Sequence, residues 1–169
     1  ASNFSIGVNI FFAMNKYLAK IMMDAMLKPL QHPASSAIVS VFTPSEILQE
    51  AGLNPYNVEG FSCYLSGSRA ERLFLQQAEN AGISETFLGA ADKDVLPRPN
   101  CIVYTNLTCD ANLLTFRRLA ELYGVPSFSI DVPMQQSAAN IAYVAGQLRE
   151  LADFLQTNTG KTIDTEALR

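Results

Sequence analysis

Residues 101–112 read CIVYTNLTCDAN, an apolar run rich in β-branched and aromatic residues that passes directly into a polar segment. A short, continuous apolar run of this kind is typical of a strand that is buried on both faces. The helix predicted after it ends at Tyr123, because Gly124 and Pro126 follow. Residues 127–132 (SFSIDV) predict another strand, which ends before Pro133. A strand, a helix and a strand with short links predict a parallel sheet.

The same alternation extends in both directions along the chain. Residues 37–42 (AIVSVF) predict a buried strand, and a helix is predicted from a capping box, with Thr43 as N-cap and Glu46 three residues on, to a stop at Gly52. A weaker strand is predicted over residues 58–64, and helices over 69–81 and 137–155. The pattern therefore predicts an α/β fold: a three-layer, doubly wound parallel sheet of the flavodoxin or Rossmann type, with helices on both faces.

Three segments are expected along the chain. Residues 1–36 form an N-terminal helical segment that packs on the domain, residues 37–160 form the α/β domain, and residues 161–169 begin a further, truncated element. The N-terminal helix is predicted over residues 8–28, ending before Pro29. Residues 1–15 carry no charge, but Lys16 follows, and this length is too short to span a membrane. The stretch therefore predicts a buried helix.

The composition excludes several classes of function. The chain has 169 residues, of which 49% are apolar and 17% charged, with a net charge of −4. The basic residues are scattered, whereas a nucleic-acid groove needs a concentrated basic face. Three cysteines without a CxxC pair argue against a disulfide framework, and we expect a reducing, cytoplasmic location.

Cys109 is the first candidate for chemistry. It follows a predicted strand and precedes a predicted helix, at the strand end where open α/β sheets bind ligands. The N-terminus of a helix lowers the pKa of a thiol, and a thiolate can act as a nucleophile or a metal ligand. The alternative is a small, buried apolar filler. These two interpretations stay open on geometry alone.

The polar run over residues 105–112 resembles a motif of the D-component-like subunits of 2-hydroxyacyl-CoA dehydratases, in which a Cys-Asp pair follows a strand. Residues 44–48 (PSEIL) with Ala51 and Gly52 are similar to the Pro-x-Glu-Leu…Ala-Gly segment of that family, and residues 128–133 (FSIDVP) to its strand ending in Asp-x-Pro. Order and spacing agree over residues 43–133.

The resemblance implies an iron–sulfur lyase that is sensitive to oxygen. Cys109 would ligate a [4Fe–4S] cluster, and Glu46, which matches the Pro-x-Glu position, could act near the substrate rather than only cap a helix. The family dehydrates a (R)-2-hydroxyacyl-CoA by a radical route, after one-electron transfer from an ATP-driven activator protein. A second related subunit or domain and an acyl-CoA substrate are the other implied partners; a membrane and a nucleic acid are not.

The sequence departs from the family pattern in its cysteines. A cysteine-bearing stretch is expected between Phe87 and Leu88, and we therefore predict that these two residues are not directly joined. Cys63 lies too far upstream to replace the missing ligand, and Cys101, at the start of an apolar strand, is predicted to belong to the core. Three alternatives remain: a subunit of a benzoyl-CoA-type reductase, a non-catalytic relative for electron relay or docking, and a plain flavodoxin-like binding module.

Overall fold

The computed structural model describes residues 2–60, 83–92, 96–107 and 110–164. We number the helices and strands of this part of the chain in order. The helices are α1 (Ser2–Gln31), α2 (Ser45–Glu50), α3 (Ile83–Asp92), α4 (Asp110–Tyr123) and α5 (Ala138–Thr159). The strands are β1 (Ser36–Val39), β2 (Asn54–Asn57), β3 (Cys101–Thr105) and β4 (Ser127–Ile130).

The four strands form one sheet in the order β2-β1-β3-β4, and each neighbouring pair is parallel. Ile38 lies between Tyr56 and Ile102 in the register of β2, β1 and β3. This is the order of the first four strands in a doubly wound sheet, in which the chain reverses direction between β1 and β3. The predicted parallel sheet is therefore confirmed.

Two hydrophobic cores cover the two faces of the sheet. Alternate residues of a strand point to opposite faces, so a strand buried on both faces needs an unbroken apolar run. On one face Tyr104 stacks on Phe116 of α4, with ring centroids 5.7 Å apart, and α3 adds Ala90 and Ala91. On the other face Val39 and Val103 belong to a cluster with residues of α2 and α5, namely Leu48, Leu151 and Leu155. The three-layer arrangement is thus confirmed.

The predicted strand over residues 58–64 is misplaced. The strand is Asn54–Asn57, and residues 58–60 are helical. The reason lies at Asn57, whose Oδ1 accepts a hydrogen bond from the Gly60 backbone N–H over 2.8 Å. A side-chain oxygen that accepts from an N–H three residues on starts a helical turn. Residues 61–64 and the predicted helix over residues 69–81 lie outside the described residues.

Helix α1 differs from its prediction in length and in burial. It continues through Pro29 to Gln31. Pro29 is buried, and Leu30 packs against the core that contains Phe116. The expectation of a buried helix is wrong for the side chains that the structure describes, because Phe11 is 61% and Phe12 64% exposed. Other exposed apolar residues of α1 are Ile10, Met14, Tyr17, Leu18, Ile21 and Leu27. Within the described ranges, no helix has the length and apolar character that crossing a membrane requires.

Helix α3 runs without interruption from Ile83 to Asp92 and includes both Phe87 and Leu88. The predicted break between these two residues is therefore wrong. A continuous helical backbone is possible here because residues 83–92 contain no proline, and the single glycine, Gly89, is tolerated inside a helix.

Candidate functional site

Small polar side chains are buried where β1 and β3 end, at the point where the order of the sheet reverses. Ser40, Thr43 and Thr105 are only 2%, 8% and 1% exposed. The Thr105 backbone N–H donates to Ser40 Oγ over 2.9 Å, and Ser40 Oγ lies 3.3 Å from Thr43 Oγ1. These hydroxyls connect the exits of the two strands and keep their polar groups satisfied. We refer to these three buried side chains as the floor of the site, because they lie at the edge where ligands bind in such sheets.

Glu59 places a carboxylate above this floor. The Val41 backbone N–H donates to Glu59 Oε2 over 2.9 Å, and the Asn112 side-chain amide donates to Glu59 Oε1 over 3.3 Å. Asn112 is 6% exposed in the first turns of α4, and Glu59 is half-buried. Each carboxylate oxygen therefore has a donor from a different part of the sheet edge. A carboxylate fixed in this way can act as a general acid or base.

Sequence reasoning missed Glu59. The predicted strand over residues 58–64 would have placed it inside a strand, whereas the observed strand ends at Asn57 and Glu59 follows it at the carboxyl edge. The available signal was an acidic residue between two apolar segments, close to a glycine. Its partner Asn112 is 53 positions away, so only the fold brings the pair together.

Phe42 has a strained backbone beside the same floor. Its φ is 65°, the only positive φ of a non-glycine residue in the described ranges. The left-handed conformation costs a residue with a Cβ about 1–2 kcal/mol, and such strain collects at functional sites. The Phe42 side chain is 69% exposed, so it projects from the edge.

A second polar network lies where β4 ends. Asp131 Oδ1 accepts from the Asn106 amide over 2.6 Å, and Asp131 Oδ2 accepts from the Tyr143 hydroxyl over 3.2 Å. The Asn106 Oδ1 in turn accepts from the Val132 backbone N–H over 2.8 Å. Partial desolvation, the hydrogen bond to Asp131 and the negative charge of Asp131 raise the pKa of Tyr143. The network joins the exit of β3 to that of β4.

Glu46 lies exposed in the first turn of α2. The predicted capping box is wrong: the N-cap of α2 is Pro44, and no side chain caps the helix. The physical reason is that the Thr43 hydroxyl is turned towards the sheet, where it donates to the Val103 carbonyl over 3.4 Å. The suggested role of Glu46 near a substrate stays a prediction.

Of the three cysteines, only Cys101 lies within the described residues. Cys109 and Cys63 lie outside the described residues. Cys101 is fully buried in β3, as predicted, and desolvation raises its pKa to about 12, so it is a neutral thiol. In the parts of the chain that the structure covers, no group of three His, Cys, Asp or Glu residues could hold a metal ion. A cluster needs three or four thiolates, and the buried Cys101 thiol does not provide one.

In a comparison with known protein families, residues 40–169 match the family described as 2-hydroxyglutaryl-CoA dehydratase, D-component. The matched range begins at Ser40 and includes the floor, Glu59 and the Asp131 network. None of the curated proteins that were compared matches this sequence.

Proposed function

Because the chain belongs to the 2-hydroxyglutaryl-CoA dehydratase D-component family, we propose that it is a component of a (R)-2-hydroxyacyl-CoA dehydratase and that its carboxyl edge binds the acyl-CoA thioester. The net reaction removes the hydroxyl group from C2 and a proton from C3, and releases water and a 2-enoyl-CoA. The proposal includes an ATP-driven activator that supplies one electron, and a second related subunit or domain.

The observation that carries this proposal is the position of Glu59. Its carboxylate is fixed by Val41 and Asn112 at the edge of the sheet where substrates bind in open α/β folds. A dehydration needs a group that accepts the C3 proton and one that returns a proton to the leaving hydroxide. A positioned carboxylate can do either, and groups of this kind contribute about 10²–10⁴-fold to a rate.

The cluster stays a proposal in which Cys109 is one ligand. The described residues do not supply the other cluster ligands, since the Cys101 thiol is buried in the core between the sheet and helices α2 and α5. In this proposal a second related subunit or domain supplies the further thiolates.

A second candidate function is that of a non-catalytic relative which docks to a partner or relays electrons. The exposed apolar residues of α1, such as Phe11 and Phe12, are compatible with docking. The two candidates differ in whether the sheet edge performs chemistry or only provides a scaffold. Replacement of Glu59 therefore distinguishes them.

The test is turnover of a (R)-2-hydroxyacyl-CoA by the full chain, purified without oxygen together with its co-expressed components and supplied with activator and ATP. Glu59→Gln should lower kcat by about 10²–10⁴-fold without loss of the fold. Glu46→Gln, a matched change at an exposed carboxylate, tests the other acidic candidate. If the intact assembly gives no enoyl-CoA, or if Glu59→Gln turns over as fast as the parent, the second candidate replaces the first.

A further inference from the structure

An apolar groove of about 340 Å³ lies where β4 ends and α5 begins. Its walls are formed by the segment after β4 and by one face of α5, on which residues recur at the spacing i, i+3, i+4 and i+7. The apolar lining residues are Val132, Pro133, Ile141, Val144, Ala145 and Leu148. Among the described residues that line the groove, the polar ones are uncharged amides, and none is a lysine, an arginine or a carboxylate. This volume falls in the range of small-molecule sites.

Side chains of α5 clamp both ends of the segment that forms one wall. The Gln147 amide donates to the Asp131 carbonyl over 2.7 Å and its Oε1 accepts from the Asp131 N–H over 2.8 Å. Further along, the Asn140 amide donates to the Gln135 carbonyl over 2.7 Å. Between these clamps the segment is held against α5. The groove is therefore formed before any ligand binds, which lowers the entropic cost of binding.

The groove adjoins the polar network at the end of β4 through Val132. Val132 lines the groove, and its backbone N–H donates to Asn106, the residue that follows Thr105 of the floor. Asp131, which precedes Val132, accepts from Asn106 as well. A ligand whose polar group lies at the floor could thus extend an apolar tail into the groove along the exits of β3 and β4.

We propose that the groove binds the acyl chain of the substrate and selects an uncharged aliphatic chain over one that ends in a carboxylate. The assignment to a thioester rests on the proposed function. The selectivity follows from the groove itself, because a terminal carboxylate would lose its hydration beside apolar walls without a cationic partner. The nearby carboxylate of Asp131 adds electrostatic repulsion. The substrate class is accordingly a 2-hydroxyacyl-CoA whose acyl chain is uncharged, rather than 2-hydroxyglutaryl-CoA, whose acyl chain ends in a carboxylate.

Calorimetric titration of the full chain with saturated acyl-CoA thioesters of four to six carbons tests this proposal. Affinity should rise about fourfold with each methylene group that enters the groove. Glutaryl-CoA should bind at least about tenfold more weakly than pentanoyl-CoA, which has the same number of carbons. Ala145→Trp fills the groove and should abolish the dependence on chain length. Ala142→Trp adds the same side chain at an exposed position of α5 that does not line the groove, and should retain it.

A second variant, Ile141→Asp, and a second ligand, 1-hexanol, test the groove independently of Ala145→Trp and of acyl-CoA. Ile141→Asp, at a side chain that is 67% exposed, should weaken hexanoyl-CoA binding even if Ala145→Trp does not fold. Equal binding of glutaryl-CoA and pentanoyl-CoA, or an unchanged length dependence in the groove variants, would overturn the proposal. If the parent binds no acyl-CoA, the proposed function fails. The groove is then judged with 1-hexanol, which should shift the methyl NMR signals of Val144 and Leu148; unshifted signals would overturn the groove as well.

Discussion

The side-chain amide of Asn112 donates a hydrogen bond to Glu59 Oε1 over 3.3 Å and so connects the first turns of α4 to the carboxyl end of β2. The other carboxylate oxygen of Glu59 accepts from the Val41 backbone. The orientation of the carboxylate therefore depends on three separate segments. Any change at Asn112 that keeps its size but alters its charge should act directly on Glu59.

Asn112→Asp should destabilise the protein at neutral pH. It replaces an amide donor with a second carboxylate at a position that is 6% exposed, and two like charges at this separation repel each other. We expect a loss of about 1–3 kcal/mol in the free energy of unfolding at pH 7. The loss should be smaller near pH 4, where one of the two carboxylates takes up a proton. Urea unfolding at both pH values measures it.

Asn112→Ala is the matched control for the charge. It removes the same donor without adding a carboxylate, so its cost should be similar at both pH values. If Asn112→Asp costs no more than Asn112→Ala at pH 7, the contact between Asn112 and Glu59 does not determine the environment of the carboxylate.

Gln147→Ala should loosen the segment after β4. Gln147 is 9% exposed and makes two hydrogen bonds to the backbone of Asp131, whose N–H and carbonyl would both lose their partner. We expect a cost of about 2 kcal/mol in unfolding free energy and faster amide hydrogen exchange at Asp131. Gln136→Ala, at an exposed side chain of the same segment, should change stability by less than about 0.5 kcal/mol. Equal effects of the two variants would show that the Gln147 side chain does not hold the segment after β4.

The strands that could be predicted from the sequence are those buried on both faces, because burial on both faces requires consecutive apolar or small residues. β3 buries all five of its residues, and β1 all four, so each is an unbroken apolar or small-residue run in the sequence. β2 reads NPYN and has no such run. Its position is set by pairing with β1, where Tyr56 lies opposite Ile38. That pairing is a tertiary effect which local propensity does not contain.

The candidate site divides in the same way. The predicted location was the carboxyl end of the strand that precedes Cys109, and the buried hydroxyls of Ser40 and Thr105 lie at that edge of the sheet. Glu59 was not found, because a contact across 53 positions leaves no periodic pattern in the sequence. Thr43 illustrates a competition between two partners: its sequence context suits a helix cap, but its hydroxyl bonds to the sheet instead.

Phe42→Gly should stabilise the protein relative to Phe42→Ala. The φ of 65° at this position costs any residue with a Cβ, whereas glycine adopts it freely. The side chain is 69% exposed, so both replacements lose little packing. We expect the glycine variant to exceed the alanine variant by about 1 kcal/mol in unfolding free energy, measured by urea titration. An alanine variant that is at least as stable as the glycine variant would show that the backbone there is not strained.

Cys101 should be unreactive in the folded protein and should make stability depend on alkaline pH. Burial raises its pKa to about 12, whereas an unfolded cysteine ionises near a pKa of about 8.5. Below that lower value both states hold the proton, and the contribution of the thiol to stability is complete. As the pH rises towards the higher value only the unfolded state loses its proton, so stability falls, by up to about 1.4 kcal/mol per pH unit.

Cys101→Ala removes this ionisation and isolates the effect from that of Tyr56, whose pKa is also raised by burial and by the neighbouring Tyr123. The difference in unfolding free energy between the parent and Cys101→Ala should shrink by about 1–2 kcal/mol between pH 8.5 and pH 10. Mass-spectrometric mapping after iodoacetamide treatment at pH 8 should find Cys101 unmodified in the folded chain and modified in urea. If the difference in unfolding free energy stays constant across this pH range, or if iodoacetamide labels folded Cys101 rapidly, the thiol is accessible. Cys101 would then again be a candidate cluster ligand.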